Sequence, residues 1–136
     1  MVKINLITVG KLKEKYLREG ILEYSKRLSR FCDLNIIEVS DEQASESLST
    51  AQELQVMKKE AERILGRYKH GTCVIALDLK GTKADSEGFA SKLQGFFNSG
   101  ISNITFVIGG TLGLDESLVR QADFRLSLSD MTFPHQ

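Results

Sequence analysis

Two hydrophobic patterns alternate along the chain, and together they predict five strands and four helices. Short apolar runs rich in β-branched residues, some of them alternating with polar ones, are typical of strands. These runs occupy residues 3–10, 34–39, 72–79, 103–110 and 124–130. The runs at 72–79 and 103–110 are almost continuously apolar, which is typical of strands buried on both faces of a parallel sheet.

Between these runs, apolar residues recur every three or four positions, which predicts amphipathic helices. The first helix, within 11–31, has a predicted inward stripe of Leu17, Ile21, Tyr24, Leu28 and Phe31. The second has a predicted inward face of Leu54, Met57, Ala61, Ile64, Leu65 and Tyr68. Between the second strand and this helix, residues 40–50 are polar, rich in serine and without a period, which predicts a mobile loop.

Two shorter helices complete the pattern. The third, 85–98, has Asp85 or Ser86 as its predicted N-cap and an inward face of Phe89, Leu93, Phe96 and Phe97. The fourth, 114–123, has acids in its first turn, where the helix dipole favours them. Strands that alternate with helices predict an α/β fold, with a mostly parallel sheet flanked by helices. Residues 1–136 are expected to form one domain.

Composition limits the classes of partner. The chain has 18 basic and 18 acidic residues, so it lacks the basic excess of a dedicated nucleic-acid coat protein, and any RNA contact must depend on a local patch. The densest basic patch consists of Lys11, Lys13, Lys15 and Arg18, which could contact phosphates or be a plain exposed helix start.

The cysteines and the N-terminus indicate the compartment. Cys32 and Cys73 form no CxxC motif and lie near too few histidines for a zinc site, so we expect free thiols and no metal. Reduced thiols are typical of cytoplasmic proteins. The apolar stretch at the N-terminus is too short for a signal peptide or a membrane span, so no membrane association is expected.

Three strand exits are candidate ligand-binding positions, because ligands of open α/β sheets bind at the carboxyl ends of the strands. These exits carry Leu77 with Asp78, Gly109 with Gly110, and the run LSLSDMTF. The chain contains neither GxGxxG nor a GxxxxGK[ST] phosphate loop, which disfavours a generic nucleotide-binding protein. The pattern favours a small neutral or cationic ligand held by backbone groups.

Other polar residues have competing interpretations. His70 stands at a helix end, where it is more often solvated than catalytic. Asp41 and Glu42 form a possible carboxylate pair, although acids in a serine-rich loop are more often solvated. In MTFPHQ, Thr132 can cap a helix and Pro134 suits its first turn, yet a frayed tail explains the same residues equally well.

Several motifs, taken in order, resemble a known family. TVGKLKEKYLREGILEYSKRL, EAERIL, VIAL with KG, FVIGGTLGL and LSLSDMTFPHQ are similar to the SPOUT-class methyltransferases that act on N3 of a pseudouridine in bacterial 23S ribosomal RNA. The resemblance spans essentially the whole chain. It implies an α/β sheet with a C-terminal trefoil knot, which is rare among folds. It also implies S-adenosylmethionine as cofactor, large-subunit 23S rRNA as substrate, and a homodimer.

The resemblance also implies site residues. The cofactor pocket of the family corresponds to Leu77, Gly109, Leu128, Ser129, Asp130, Met131, Thr132 and Phe133. N3 must lose its proton as it attacks the methyl group, and no residue is assigned as the general base. His135 is the imidazole closest to the pocket in sequence, although structural or pocket-lining roles are more common for a histidine in this position.

The chain departs from the family pattern in three places. Ala61 replaces a common glycine, and Asp130 replaces a common basic residue, which should weaken RNA attraction beside the pocket. The resemblance also implies, after PHQ, a C-terminal helix that threads the knot and a short tail near the active site, and both are absent from residues 1–136. We therefore expect a SPOUT-type fold without the knot-threading helix. The alternative is an inactive chain that acts at most as a binding or assembly module.

Overall fold

The computed structural model describes residues 1–42, 47–68 and 71–134, which form a three-layer α/β structure. The strands are β1 (Val2–Val9), β2 (Cys32–Val39), β3 (Cys73–Lys83), β4 (Asn103–Ile108) and β5 (Phe124–Ser127). The helices are α1 (Lys15–Leu28), α2 (Thr50–Leu65), α3 (Ser86–Asn98) and α4 (Glu116–Arg120). All nine predicted elements are confirmed, with ends that differ by a few residues.

The five strands form one sheet in the order β2-β1-β4-β3-β5, and every neighbouring pair is parallel. The predicted fold class is therefore confirmed, while the knot stays a prediction. Among the helices of the described ranges, none combines the length and the apolarity needed to cross a bilayer.

Two apolar cores lie on opposite faces of the sheet. On one face, Ala61 and Ile64 of α2 and Leu118 of α4 pack against strand residues that include Ile7 and Val107. On the other face, α3 packs with Phe89, Leu93, Phe96 and Phe97 against a core of Cys73, Ile75, Ile104 and Leu126. The first four residues of β3, Cys73–Ala76, are all buried, as the continuous apolar run predicts. The right-handed crossover rule places α1 on the α3 face.

Helix ends follow the sequence signals. Ser49 caps α2 in a capping box with Gln52, in which each side chain accepts from the backbone N–H of the other residue. Asp85 is the N-cap of α3 and accepts from the Gly88 N–H at 2.7 Å. Asp115 caps α4 by accepting from the Ser117 N–H.

Two of the predicted inward faces are partly wrong. Within α1 no residue is buried: Tyr24 is 65% exposed and Leu28 42% exposed, and Phe31 beyond the helix is 74% exposed. In α2, Leu54 and Leu65 are also exposed. The spacing of apolar residues gives the stripe correctly, but it does not reveal whether another element covers that stripe.

A polar network joins three strands at the amino-terminal edge of the sheet. The Asn5 amide donates to Asn103 Oδ1 at 3.0 Å, and the Thr72 hydroxyl donates to the same oxygen at 3.0 Å. Thr72 also lies 2.6 Å from the Thr105 hydroxyl. Asn5 and Thr105 are buried, so a slip in register would leave these groups without their partners.

Candidate functional site

The predicted ligand residues meet at the carboxyl edge of the sheet. Because all five strands are parallel, their carboxyl ends lie along one edge, and β4, β3 and β5 are consecutive there. Leu77 is half-buried and pairs with Leu126 of β5. Gly109 follows β4, and Leu128 follows β5. The structure thus brings together the three strand exits that the sequence predicts.

Strand β3 contains an excursion at this edge. Leu77 and Thr82 both pair with Leu126, so the four residues 78–81 bulge out of the β3–β5 ladder. We call residues 78–81 the β3 excursion. Its backbone groups leave the ladder and become available at the sheet edge.

Two contacts hold the β3 excursion against β5. A β-carbon at Gly81 would lie 2.7 Å from the Arg125 carbonyl carbon and oxygen, so only glycine lets the two backbones approach this closely. Arg125 Nη2 and Nε donate to Asp78 Oδ2 at 2.9 and 3.2 Å. The Asp78 carboxylate also accepts from the Lys80 N–H at 3.2 Å. The excursion is therefore a fixed wall of the site.

The turn after β4 is equally tight. Gly110 and Gly113 form an antiparallel bridge, and the Gly113 N–H donates to the Gly110 carbonyl at 3.0 Å. A β-carbon at Gly109 would lie 2.8 Å from the Gly113 carbonyl carbon and 2.9 Å from its oxygen. Gly113 itself has a φ of 88°, which only glycine adopts readily. We call residues 109–113 the glycine turn.

Segment 128–133 continues from β5 along the same edge. Buried Ser127 donates from its hydroxyl to the Ser129 carbonyl at 3.0 Å, and Ser129 Oγ accepts from the Met131 N–H at 3.0 Å. Asp130, predicted to weaken RNA attraction, forms a 2.6 Å ion pair with Lys83 of β3. That pair offsets the negative charge locally, and it fastens the segment to its neighbour strand.

The segment presents apolar side chains and backbone polar groups together. Leu128 is 63% exposed, Met131 68% and Phe133 56%, and Leu79 of the β3 excursion is 53% exposed. Thr132 is exposed as well, and no helix begins within the described residues up to Pro134. Apolar side chains beside backbone donors and acceptors suit a flat aromatic base. A ligand with a positive charge needs no cluster of backbone N–H groups of the kind that binds anions.

A buried carboxyl group borders the glycine turn. Glu60 of α2 is 5% exposed, and its Oε1 would lie 3.0 Å from a β-carbon at Gly110. Its Oε2 accepts from the Glu42 N–H at 3.0 Å. Burial raises the pKa of Glu60; the Glu42 N–H opposes this rise, and nearby Asp41 adds to it.

Glu42 forms ion pairs with two basic residues of α2 and is not a freely solvated acid. It accepts from Arg63 Nη2 at 2.5 Å and lies 3.6 Å from Lys59 Nζ. The Arg63 hydrogen bond lowers the pKa of Glu42. The Glu42 carboxylate is therefore held in an ion-pair network that anchors the segment after β2, while Asp41 is exposed.

Other predicted residues fall away from this edge or outside the described ranges. The thiols of Cys32 and Cys73 are free, as predicted; both are buried, and burial raises the pKa of both. Lys11, Lys13, Lys15 and Arg18 are exposed around the start of α1. His70 and His135, the two histidines, lie outside the described residues.

Three residues of the site have no role in the sequence analysis. Glu60 looks like an ordinary surface acid within a helical pattern, and Arg125 like an outward residue of a strand. Neither has a local signal, because their partners are 18 and 47 positions away. Gly81 was identifiable in principle, since a glycine inside a strand pattern marks a bulge or a close backbone approach.

Comparisons with known proteins identify the family of the chain. A family model described as "Predicted SPOUT methyltransferase" matches residues 2–136. The chain is 61% identical over 135 residues to "Ribosomal RNA large subunit methyltransferase H" of Acetivibrio thermocellus and, to the same degree, to the protein of that name in Ruminiclostridium cellulolyticum. It is 56% identical to the protein of that name in Alkaliphilus oremlandii. Each alignment covers 99% of this chain and 85% of the relative.

Proposed function

Since the chain belongs to the SPOUT methyltransferase family, we propose that it methylates ribosomal RNA of the large subunit with S-adenosylmethionine as methyl donor. It is a methyltransferase, and the comparisons favour this activity over the alternative of an inactive binding module. The observation that best supports the proposed donor site is the junction of the β3 excursion, the glycine turn and segment 128–133 at one sheet edge.

The donor fits the residues at that junction. When bound, S-adenosylmethionine supplies a methyl group on a positively charged sulfur. Leu128, Met131 and Phe133 offer apolar surface for the adenine, and the backbone around Ser129 offers hydrogen-bonding groups. Leu77, Gly109, Asp130 and Thr132 complete the proposed donor site. Asp130 and Asp78 are paired with Lys83 and Arg125, so their part in the proposed site is to position segment 128–133 and the β3 excursion.

We propose N3 of a pseudouridine in 23S rRNA as the atom that receives the methyl group. The imide N–H must lose its proton as the nitrogen attacks, so the chain has to align the base and provide a route for that proton. The rigid glycine turn and the fixed β3 excursion support alignment, because both hold their backbone by contacts to neighbouring chain.

The proposal includes the organisation of the protein. We propose a single-domain cytoplasmic protein that acts as a homodimer, without a metal, on the large subunit or ribosome. The exposed apolar residues Tyr24 and Leu28 of α1 support a contact with a second copy. Sedimentation of the purified chain tests the dimer.

The activity is tested by incubation with unmodified large ribosomal subunits and S-adenosylmethionine labelled on its methyl group. The expected result is label in the rRNA, found by nucleoside mass spectrometry on N3 of a pseudouridine. Label on another nucleoside contradicts the proposed target atom, and label in no RNA contradicts the proposed substrate.

The donor site is tested by calorimetry on two matched leucine variants. Leu128→Ala should weaken S-adenosylmethionine binding about tenfold, since the lost side chain is worth roughly 1.5 kcal/mol of apolar contact. Leu54→Ala, which removes a leucine of similar exposure on α2, should leave binding unchanged. Equal effects of the two substitutions would contradict this location.

A further inference from the structure

The positive charge of this chain is concentrated around α1. Residues 11–31 contain seven basic and three acidic side chains, although the whole chain has 18 of each. This segment therefore carries a surplus of four positive charges, and the rest of the chain carries an equal negative surplus. A neutral protein that must approach a polyanion needs such a separation of charge.

The cations follow one exposed side of the helix. Lys15, Arg18 and Lys26 are separated by three and eight residues, so they lie along one stripe, and all three are exposed. Arg30 extends the stripe beyond the end of α1 and is also exposed. At a rise of 1.5 Å per residue, Lys15 and Lys26 are about 16 Å apart along the helix axis, which is long enough to follow several phosphates.

A shallow depression lies at the carboxyl end of this stripe. Its lining consists of Glu23, Lys26, Arg27, Ser29, Arg30 and Phe31. Phe31 is 74% exposed, which is unusual for a phenylalanine beside a helix end. Arg27 is paired with Glu23 at 3.1 Å and lies over the Tyr24 ring, whereas Lys26 and Arg30 form no salt bridge with any carboxylate in the described ranges.

Helix electrostatics alone does not explain this arrangement. Lys26 and Arg27 in the last turn are favoured by the helix dipole. Lys15 and Arg18 lie in the first turn, at the positive end of the helix dipole, which repels cations. The first turn itself contains no acidic residue. Glu14 at the N-cap and Glu19, whose Oε1 lies 3.7 Å from Lys15 Nζ, offset part of that repulsion. Cations at both ends, with the exposed Phe31 ring lining the same depression as Lys26 and Arg30, favour an external anionic partner.

We propose that Lys15, Arg18, Lys26, Arg30 and Phe31 form an rRNA-binding surface, here called the α1 surface. The cations contact backbone phosphates, and Phe31 stacks on an unpaired base, as aromatic side chains do in single-stranded RNA recognition. This inference rests on the proposed function, since it assigns to one surface the grip on the RNA substrate. The α1 surface is also the local basic patch that a chain without net charge needs in order to contact RNA.

The test measures binding of in vitro transcribed large-subunit rRNA over a range of salt concentrations. For the double variant Lys26→Ala/Arg30→Ala, we expect the slope of log affinity against log salt to become shallower by about 1.4 to 2, since each of the two lost phosphate contacts removes about 0.7 to 1. The matched control is Lys58→Ala/Arg67→Ala, which removes one exposed lysine and one exposed arginine from α2 and its end, on the opposite face of the sheet. The control should keep the slope of the unaltered chain.

Phe31→Ala separates stacking from charge. It should weaken binding about fivefold or more at every salt concentration and leave the slope unchanged, because no phosphate contact is lost. Urea unfolding confirms that each variant is folded, and alanine at Lys26 keeps a strong helix former in α1. An unchanged slope for Lys26→Ala/Arg30→Ala overturns the α1 surface.

Two further readouts separate this inference from the function on which it rests. If Lys26→Ala/Arg30→Ala or Phe31→Ala changes the sedimentation coefficient while RNA binding is unaltered, the surface joins protein copies, and the inference is overturned. If the unaltered chain binds rRNA with the expected slopes but transfers no methyl group to large subunits, the proposed function fails and the α1 surface stands. If methyl transfer proceeds and the double variant keeps the KM of the unaltered chain for subunits, the function stands and the surface fails.

Discussion

Substitution of Gly109 tests whether the glycine turn is both a packing device and part of the donor site. In Gly109→Ala the new β-carbon would lie 2.8 Å from the Gly113 carbonyl carbon and 2.9 Å from its oxygen. Ordinary contacts begin at 3.4 Å, so the turn must open by about 0.6 Å. The two nearest of the three crowding atoms are backbone atoms of Gly113, so the overlap persists even if the Leu114 side chain, 3.0 Å away, rotates. Overpacking of this kind costs about 1–3 kcal/mol of unfolding free energy.

The same displacement should reach the donor. Gly109 belongs to the proposed S-adenosylmethionine site, and a loss of 1.4 kcal/mol in binding is a tenfold weaker affinity. We expect roughly tenfold weaker binding by calorimetry, together with a lower urea midpoint. The matched control is Gly95→Ala in α3, where nothing lies within 4 Å of the new β-carbon. That control should stabilise the protein by up to about 1 kcal/mol, because alanine favours the helix over glycine, and binding should not change.

If Gly109→Ala unfolds at the same urea concentration as the unaltered chain and binds the donor equally well, Gly109 is neither tightly packed nor part of the donor site. A second outcome is that Gly109→Ala loses stability but binds the donor with full affinity. It would confirm the close packing of the glycine turn and remove Gly109 from the proposed donor site.

Three other substitutions test individual buried or paired groups, two near the site and one, Tyr68, at the opposite edge of the sheet. The buried Glu60 carboxyl has a raised pKa, so the unaltered protein loses stability as this group ionises above about pH 4.5. In Glu60→Gln nothing ionises at this position, so its free energy of unfolding should rise relative to that of the unaltered chain as pH increases. Urea unfolding at several pH values measures the difference, and a difference that does not change with pH contradicts the prediction. Arg125→Gln removes the ion pair with Asp78, so we expect the free energy of unfolding to fall by about 1 kcal/mol and the amides of residues 78–81 to exchange faster. Unchanged exchange at these amides would contradict the role of the ion pair. The buried Tyr68 hydroxyl has no hydrogen-bond partner among the described residues, and burial raises its pKa to about 12. Tyr68→Phe removes this hydroxyl and should leave thermal stability unchanged or raise it by up to about 1 kcal/mol. A clear loss of thermal stability would show that the hydroxyl does form a hydrogen bond.

Local patterns were sufficient for the elements of this fold. The apolar run 72–79 predicts a strand buried on both faces, and Asp85 predicts a helix cap, because both signals depend on neighbouring residues alone. The sheet edge was predictable in outline for the same reason, since parallel strands deliver their ends to one side.

Features that depend on distant partners were not predictable. The stripe of α1 was identified, but its exposure depends on what covers it, and Tyr24 and Phe31 lie open. The serine-rich surroundings of Glu42 favour a solvated acid, whereas Arg63, 21 positions away, holds it in an ion pair. The β3 excursion arises from a ladder with β5, which follows it by more than forty residues. Such pairings are properties of the folded chain.

The amide contact between Asn5 and Asn103 has a consequence for synthesis on the ribosome. These residues are 98 positions apart, yet their contact fixes the register of β1 against β4 in the middle of the sheet. At 5–20 residues per second, roughly 5 to 20 s pass between the emergence of the two strands. During that interval β1 can pair with β2, but one of its edges has no neighbour. A nascent chain therefore leaves one edge of β1 unpaired until β4 emerges, although β1 is an interior strand of the finished sheet. During this interval a chaperone that shields the open edge would protect the chain from pairing with other chains.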